Sequence, residues 1–283
     1  MNILIIGCGY VGERVAKLWL DKGHQVTALT RSTERANAWE KQGITPVIGD
    51  VLNVESLTAL PAVDLCLYAV GYDRQATPSK EQVYVQGLKN VLSEIAEKIP
   101  HVIYISSSSV YGQDNGEWVD ENSATEPTSP GGEICLAAEK TLREFYPEEH
   151  NSRKATIVRC SGIYGPGRML ARQSQLENGE SFQGNPDAWL NLVHVDDIVH
   201  AVDILARSDA QHPLYLLSDT QPISRRDFYT QLAKALNAPS PNFEVTDSES
   251  FNKRINSERI RNEFDLQMKH PTIECGLRTV AGD

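Results

Sequence analysis

Apolar residues along this chain fall into short blocks at two spacings, and the two kinds of block alternate. Asn2-Ile3-Leu4-Ile5-Ile6 is a continuous branched run, as expected of a strand buried on both faces. Glu13 to Leu20 then carries Val15, Ala16, Trp19 and Leu20 at helical spacing. Gln25–Leu29, Thr45–Ile48, Asp64–Ala69, Val102–Ile105 and Thr156–Arg159 predict five further strands. Between them, Asn53–Leu60 reads as a short helix, Ser79–Lys98 as one long amphipathic helix, and Ile134–Phe145 as another. Val83, Leu88, Val91, Leu92 and Ile95 make the apolar side of the long helix, and Ser79 with Gln82 has the spacing of a capping box. Steady alternation of this kind predicts an α/β fold with a doubly wound parallel sheet and right-handed crossovers. Ligands then gather at the carboxyl ends of the strands.

The remainder is less regular. Residues 112–132 are rich in Gly, Pro, Ser and acids and read as a loop. Leu170–Glu177 has helical spacing, Trp189–Val193 looks extended, and His194-Val195-Asp196-Asp197 opens a helix through Ala206. Leu214–Leu217 is a short strand, and Ser224 with Asp227 caps a helix through Leu236. Residues 238–250 read as a surface loop and Ser257–Phe264 as a last helix. The expected division is a nucleotide-binding domain over 1–165 plus roughly 190–207, and a smaller lobe over 166–189 and 208–283.

The chemistry begins where the first strand ends. Gly7-Cys8-Gly9-Tyr10-Val11-Gly12 matches G-x-G-x-x-G, with a strand before it and a helix after it. In that context the first glycine serves the turn, the second admits a pyrophosphate, and the third lets the helix pack on the strand. The helix N-terminus favours the anion. This predicts a dinucleotide site in a Rossmann-type domain, with Gly7, Gly9, Tyr10, Val11 and Gly12 around the diphosphate. A carboxylate usually closes the second strand of such a site to hold ribose hydroxyls. Here the strand ends Thr30-Arg31-Ser32, and an arginine there suits a 2′-phosphate, so NADP(H) is favoured and NAD(H) is the alternative. Asp50 and Val51 are placed to meet adenine, and Ala69, Val70 and Gly71 to line the cofactor path.

Composition narrows the partners. Among 283 residues the net charge is −11, which argues against general nucleic-acid binding. The five cysteines, Cys8, Cys66, Cys135, Cys160 and Cys275, are odd in number and none are at C-x-x-C spacing, so neither a disulfide framework nor a zinc site is expected. His194-Val195-Asp196-Asp197 reads as a helix cap rather than a metal site. No apolar run approaches membrane-spanning length and no leader precedes the first strand, so a soluble, cytoplasmic protein is expected.

Several pieces together resemble one family. They are the glycine loop, Gly49-Asp50, Val83-x-x-x-Gly87-x-x-Asn90-Val91-Leu92, Ser106 to Gly112, Arg159 to Arg168, His194 to Asp197, and Lys253-Arg254-Ile255-Asn256. The chain resembles the extended short-chain dehydrogenases/reductases of the NAD-dependent epimerase/dehydratase group, and most of all its atypical members. The resemblance implies an oxidoreductase or isomerase acting on a small polar, sugar-like substrate. It adds Ser106, Cys160 and Ile163 to the cofactor site and assigns Ser108, Tyr164, Arg168, Trp189 and Arg254 to the substrate. It also implies a homodimer through residues 79–98 and 134–145.

The family's proton chemistry resembles a Ser/Thr, Tyr, Lys set, and only its serine is present, as Ser107. Gly131 stands where the tyrosine belongs and Cys135 where the lysine belongs. Hydride transfer at a carbinol needs a group to move the hydroxyl proton, and glycine has none. Tyr111, Tyr164 and Glu133 are the candidate substitutes. Gly162 also replaces an Asn that sugar-nucleotide members often carry two residues before Tyr-Gly-Pro. The second reading is therefore a non-catalytic dinucleotide-binding redox sensor or scaffold.

Overall fold

The computed structural model describes residues 1–73, 75, 77–148, 152–246 and 252–280. Seven parallel strands form its central sheet: β1 (Asn2–Ile6), β2 (Gln25–Thr30), β3 (Thr45–Ile48), β4 (Leu65–Tyr68), β5 (His101–Ser107), β6 (Lys154–Cys160) and β7 (Leu214–Leu217). Their order is β7-β6-β5-β4-β1-β2-β3. Chain direction across the sheet therefore reverses between β1 and β4, and a ligand crevice opens at such a switch point. Ile3, Leu4, Ile5 and Ile6 are all fully buried, as a central parallel strand requires.

The chain divides into two compact units. The first is Met1–Val110, Pro127–Arg159 and Val199–Tyr215, and the second is Tyr111–Glu126, Cys160–Ile198 and Leu216–Asp283. The first carries the sheet, although Cys160 and Leu216–Leu217, the last residues of two strands, count with the second. Its helices include α1 (Gly12–Asp21), α2 (Thr33–Glu40), α3 (Gly87–Ile95), α4 (Pro130–Phe145) and, from Val199 on, the helix Val195–Arg207. Leu88, Val91, Leu92 and Ile95 of α3 pack with Ala138 and Leu142 of α4 against Leu4, Ile6, Val102 and Tyr104. In the second unit Tyr164, Leu176, Phe182, Phe228, Leu232, Ile273 and Leu277 make a separate core.

Several elements differ from expectation. The predicted helix over Asn53–Leu60 is a 3₁₀ turn, Val54–Leu57. The long helix is not uniform: Gln82–Gln86 is π-helical, and the α-helical part ends at Ile95. Its capping box does form, with Ser79 N–H donating to Gln82 Oε1 at 2.8 Å and Gln82 N–H to Ser79 Oγ at 3.1 Å. Helix α2 was not anticipated; Ser32 Oγ caps it by accepting from Arg35 N–H. The helix expected from Ile134 begins at Pro130, capped by Ser129.

Of the loop expected over residues 112–132, residues 127–132 belong to the first unit, with Pro130 opening α4, and residues 112–126 belong to the second. There Glu117–Val119 pairs in parallel with Lys253–Ile255, a partner more than a hundred residues away that local pattern does not reveal. Within the predicted loop over 238–250, Phe243–Glu244 pairs with Phe182–Gln183, and residues 247–250 lie outside the described residues. A last helix, Ile273–Val280, was not foreseen. Among the described residues no helix is long and apolar enough to cross a membrane.

Candidate functional site

The glycine loop shows why each of its glycines is there. Gly7 has φ +88°, and a Cβ on it would stand 2.4 Å from Val70 N. Gly12 lies so close to the strand that a Cβ would meet Gly7 O at 2.7 Å. Gly9 differs, since a Cβ there would find nothing within 4 Å. The first glycine is required by its backbone angle, the third by packing, and the second faces open space at the start of α1. Gly71, just past β4, faces open space as well. Two bare backbones beside a helix N-terminus, at the switch point of the sheet, fit a dinucleotide pyrophosphate.

The side chains around the loop add charge. Arg14 donates to Tyr10 O at 2.7 Å and lies over the Tyr10 ring at 4.1 Å, so a guanidinium that sequence reasoning passed over stands in the first turn of α1, next to the glycine loop. Its signal was the spacing from Tyr10 to Arg14, one helical turn. Cys8 is buried, which pushes its thiol up to about 12, with Glu13 adding to the effect; it is inert.

At the ends of β2 and β3, Arg31 is 65% exposed and reaches Asp50 at 3.7 Å. Thr30 Oγ1 accepts from Ser32 N–H, and Asp50 Oδ1 accepts from Leu52 N–H. One Asp50 oxygen thus shapes its own turn and the other faces Arg31. Val51 lies under Gly87, 2.8 Å from where a Cβ would stand, and its carbonyl accepts from Asn90.

The serine run is divided in its duties. Ser106 Oγ donates to Glu139 Oε1 at 2.5 Å, inside a buried pair in which Arg159 Nη2 meets Glu139 Oε2 at 2.7 Å. Ser107 Oγ accepts from Ser109 N–H at 3.2 Å, and Ser107 and Ser108 stay half-buried. Gly132 of α4 lies against this run, a Cβ there being 2.2 Å from Ser109 O. Cys135 is buried, which pushes its thiol up, while Lys80 and a hydrogen bond with Ser109 pull the other way. Gly131 has one close neighbour: a Cβ there would stand 3.0 Å from Lys80 Nζ.

The second unit buries both candidate tyrosines. Tyr111 and Tyr164 are each 0% exposed. Tyr164 is covered by the unforeseen helix Ile273–Val280, and burial, with Asp219 and Asp197 nearby, pushes its phenol well above the usual range. It is thus set in a core rather than presented to a ligand. Lys253 is buried too, donating to Tyr111 O at 2.7 Å, and burial lowers its ammonium to about 8. Cys160 is buried, and burial pushes its thiol up to about 12, whereas Ile163 is half-buried and Glu133 and Arg168 are exposed.

Arg254 lies over two indoles, 5.0 Å from the Trp118 ring and 5.3 Å from that of Trp189, with its Nε donating to Gly116 O at 2.8 Å. Trp118 is 53% exposed, so this cationic, aromatic face reaches the surface of the unit. Trp118 was not anticipated, because its loop gives no hint of pairing with Lys253–Ile255.

His194, Asp196 and His270 bring one ligand atom each within 4.8 Å of the others. The His194 Nδ1 lone pair is already engaged, however, accepting the Asp196 N–H at 3.2 Å as a helix cap. That makes Nε2 the protonated nitrogen, donating to Thr279 Oγ1 at 2.9 Å. The donor set therefore fits a cap better than an ion.

The chain is similar to known proteins in sequence and in fold. The profile of the NAD dependent epimerase/dehydratase family matches residues 3–215. Protein YeeZ of Escherichia coli K12 is 27% identical, covering 95% of this chain and 96% of that protein. A structure from Methylobacillus flagellatus, provisionally described as an NAD-dependent epimerase/dehydratase, is 31% identical with a TM-score of 0.78, covering 97% of this chain and 95% of that one. The UDP-glucuronic acid 4-epimerase of Bacillus cereus, in complex with UDP-glucuronic acid and NAD, shares the fold at 18% identity and a TM-score of 0.82, covering 99% and 98% of the two chains.

Proposed function

Because the chain belongs to the NAD dependent epimerase/dehydratase family, we propose that it binds a nicotinamide dinucleotide at Gly7–Gly12 and acts as an oxidoreductase or isomerase on a small, polar, anionic substrate. The observation that carries this reading is the glycine loop, with Gly7 and Gly12 constrained by their surroundings and open space over Gly9 and Gly71. A bound nicotinamide supplies the hydride acceptor or donor. The chain's own part is to hold the diphosphate on backbone N–H groups near Arg14, and the adenosine at Arg31, Asp50 and Val51. NADP(H) is favoured because Arg31 is exposed and only loosely paired, at 3.7 Å, with Asp50.

Ser107 is the retained member of the proton-handling set. On the substrate side, Arg254 between Trp118 and Trp189 suits an anionic group attached to a sugar-like ring. The sugar nucleotide in the B. cereus complex is one ligand of that kind.

Titration with NADPH and NADH tests the site. Gly9→Asp should abolish binding, because a side chain and a negative charge would fill the space the pyrophosphate needs. Unchanged affinity would remove the assignment. Arg31→Ala should weaken NADPH by roughly 1.5–3 kcal/mol more than NADH, the worth of a charge-assisted bond. Equal losses would show that Arg31 does not read the 2′-phosphate.

Gly131 and Cys135, with both tyrosines buried, favour a second reading as a dinucleotide-binding sensor or scaffold. Tight NADPH binding without hydride exchange across a panel of carbonyl compounds would decide for it.

A further inference from the structure

The reading above leaves the nicotinamide half of the site without the cation that the family places on α4. The first unit holds one, and it comes from another segment. Lys80 stands at the start of the helical segment after β4, and its Nζ donates to Gly131 O at 3.3 Å. It also lies over the Tyr84 ring at 5.1 Å. Tyr84 belongs to the π-helical stretch Gln82–Gln86, and wide turns of this kind are frequent at functional sites.

The ammonium is poorly satisfied. It is half-buried, and among the described residues no carboxylate pairs with it. One long bond to a carbonyl and one ring face leave at least one of its three N–H donors for another acceptor. Nothing stands between it and the backbone at 131, where a Cβ would lie 3.0 Å from Nζ and a longer side chain would compete for the same space.

Topology says which acceptor is within reach. With the pyrophosphate at the end of β1, the adenosine extends over β2 and β3, where Arg31 and Asp50 lie. The other nucleotide half must then extend over β4 and β5, the next strands in the opposite direction. Lys80 follows β4 and Gly131 follows β5, so they meet over that half.

Resting on the dinucleotide reading, we propose that Lys80 is a cofactor-binding residue whose ammonium holds oxygens of the non-adenine nucleotide, supplied from the α3 side in place of the lysine missing at position 135. Gly131 holds it by its carbonyl and leaves the space beside it open, and the Tyr84 ring lies against it. The ligand chemistry is a cluster of neutral oxygen acceptors, the hydroxyls or amide of that half, and no covalent step is involved.

The test uses the full chain, with calorimetric titration of NADPH and of ADP, which lacks the second half. Lys80→Met should raise the NADPH dissociation constant about tenfold, the loss of one charge-assisted bond, while changing that of ADP less than twofold. Lys80→Arg should hold NADPH within threefold of wild type. Lys80→Met binding NADPH as wild type does would overturn the proposal. So would equal losses for NADPH and ADP, which would mean that Lys80 only anchors Gly131 and the start of α4. Wild-type protein that binds neither nucleotide would refute the dinucleotide reading itself, and that result is visible before any variant is made.

Discussion

Asp203 in the first unit and Asp219 in the second are the same side chain, 1% and 2% exposed, with opposite proton affinities. Burial pushes both upward. At Asp203 it is outweighed, because Oδ2 takes Lys22 Nζ at 2.6 Å and Arg207 Nη2 at 2.8 Å, and the carboxyl ends below the usual range. At Asp219 neither oxygen meets a donor in good hydrogen-bonding geometry. Asp197 adds like charge, the Gln221 N–H and Arg261 only soften the shift, and the group rises to about 8. Depth alone does not set charge; partners do. Asp203 is buried with its counter-charges, and Asp219 is buried without partners that offset its burial.

The pH consequences run in opposite directions. A carboxyl raised in the folded state stabilises fully below the ordinary carboxylate range, and that stability disappears as pH climbs through about 8. A depressed carboxyl stabilises above the ordinary range and loses its effect as pH falls through its folded value.

The largest effect is expected at Asp219. Each unit of displacement is worth about 1.4 kcal/mol, so wild-type protein should lose stability to urea between pH 5 and 9. Asp219→Asn should flatten that decline and be the more stable protein at pH 9. A slope unchanged in the variant would show that the group is not kept neutral. Asp203→Asn comes next, costing about 1–2 kcal/mol at pH 7, since Lys22 and Arg207 are 38% and 49% exposed and solvent screens them. Its acid limb should be shallower than that of wild type, and an identical limb would assign the acid response elsewhere. Smallest is Lys22→Met, which moves Asp203 part of the way toward the condition of Asp219. It should cost no more than about 1 kcal/mol and shift the acid limb upward, whereas no shift would leave Arg207 as the effective partner.

The same contrast governs what the sequence made legible. The glycine loop is contiguous, and strand, turn and helix each announced themselves within Met1–Leu20, so the backbone roles of Gly7, Gly9 and Gly12 followed from local pattern. Caps at Ser79 and Ser224 were equally local. Contacts between distant segments were not. Lys80 meets Gly131 across 51 positions, and Arg254 meets Gly116 across 138. Nothing near Tyr164 indicates that a helix beginning at Ile273 will cover it. The π-helical turn has no signal in apolar spacing, because its residues, Gln82 to Gln86, bury no side chain fully.

That covering helix has a consequence for how these positions can drift. A Cβ at Gly276 would stand 1.9 Å from Tyr164 Oη and 2.5 Å from Cζ. Removing the hydroxyl alone, as in phenylalanine, leaves the ring carbon in the way. The two positions can therefore change only in sequence: Tyr164 must first shrink to an aliphatic side chain, and only then can 276 become alanine. The first step opens a cavity in the second unit's core, at a cost of about 3–5 kcal/mol for losing most of an aromatic ring, and the second refills only part of it. A lineage would have to cross that valley before the pair could be rewritten, so tyrosine and glycine hold each other in place.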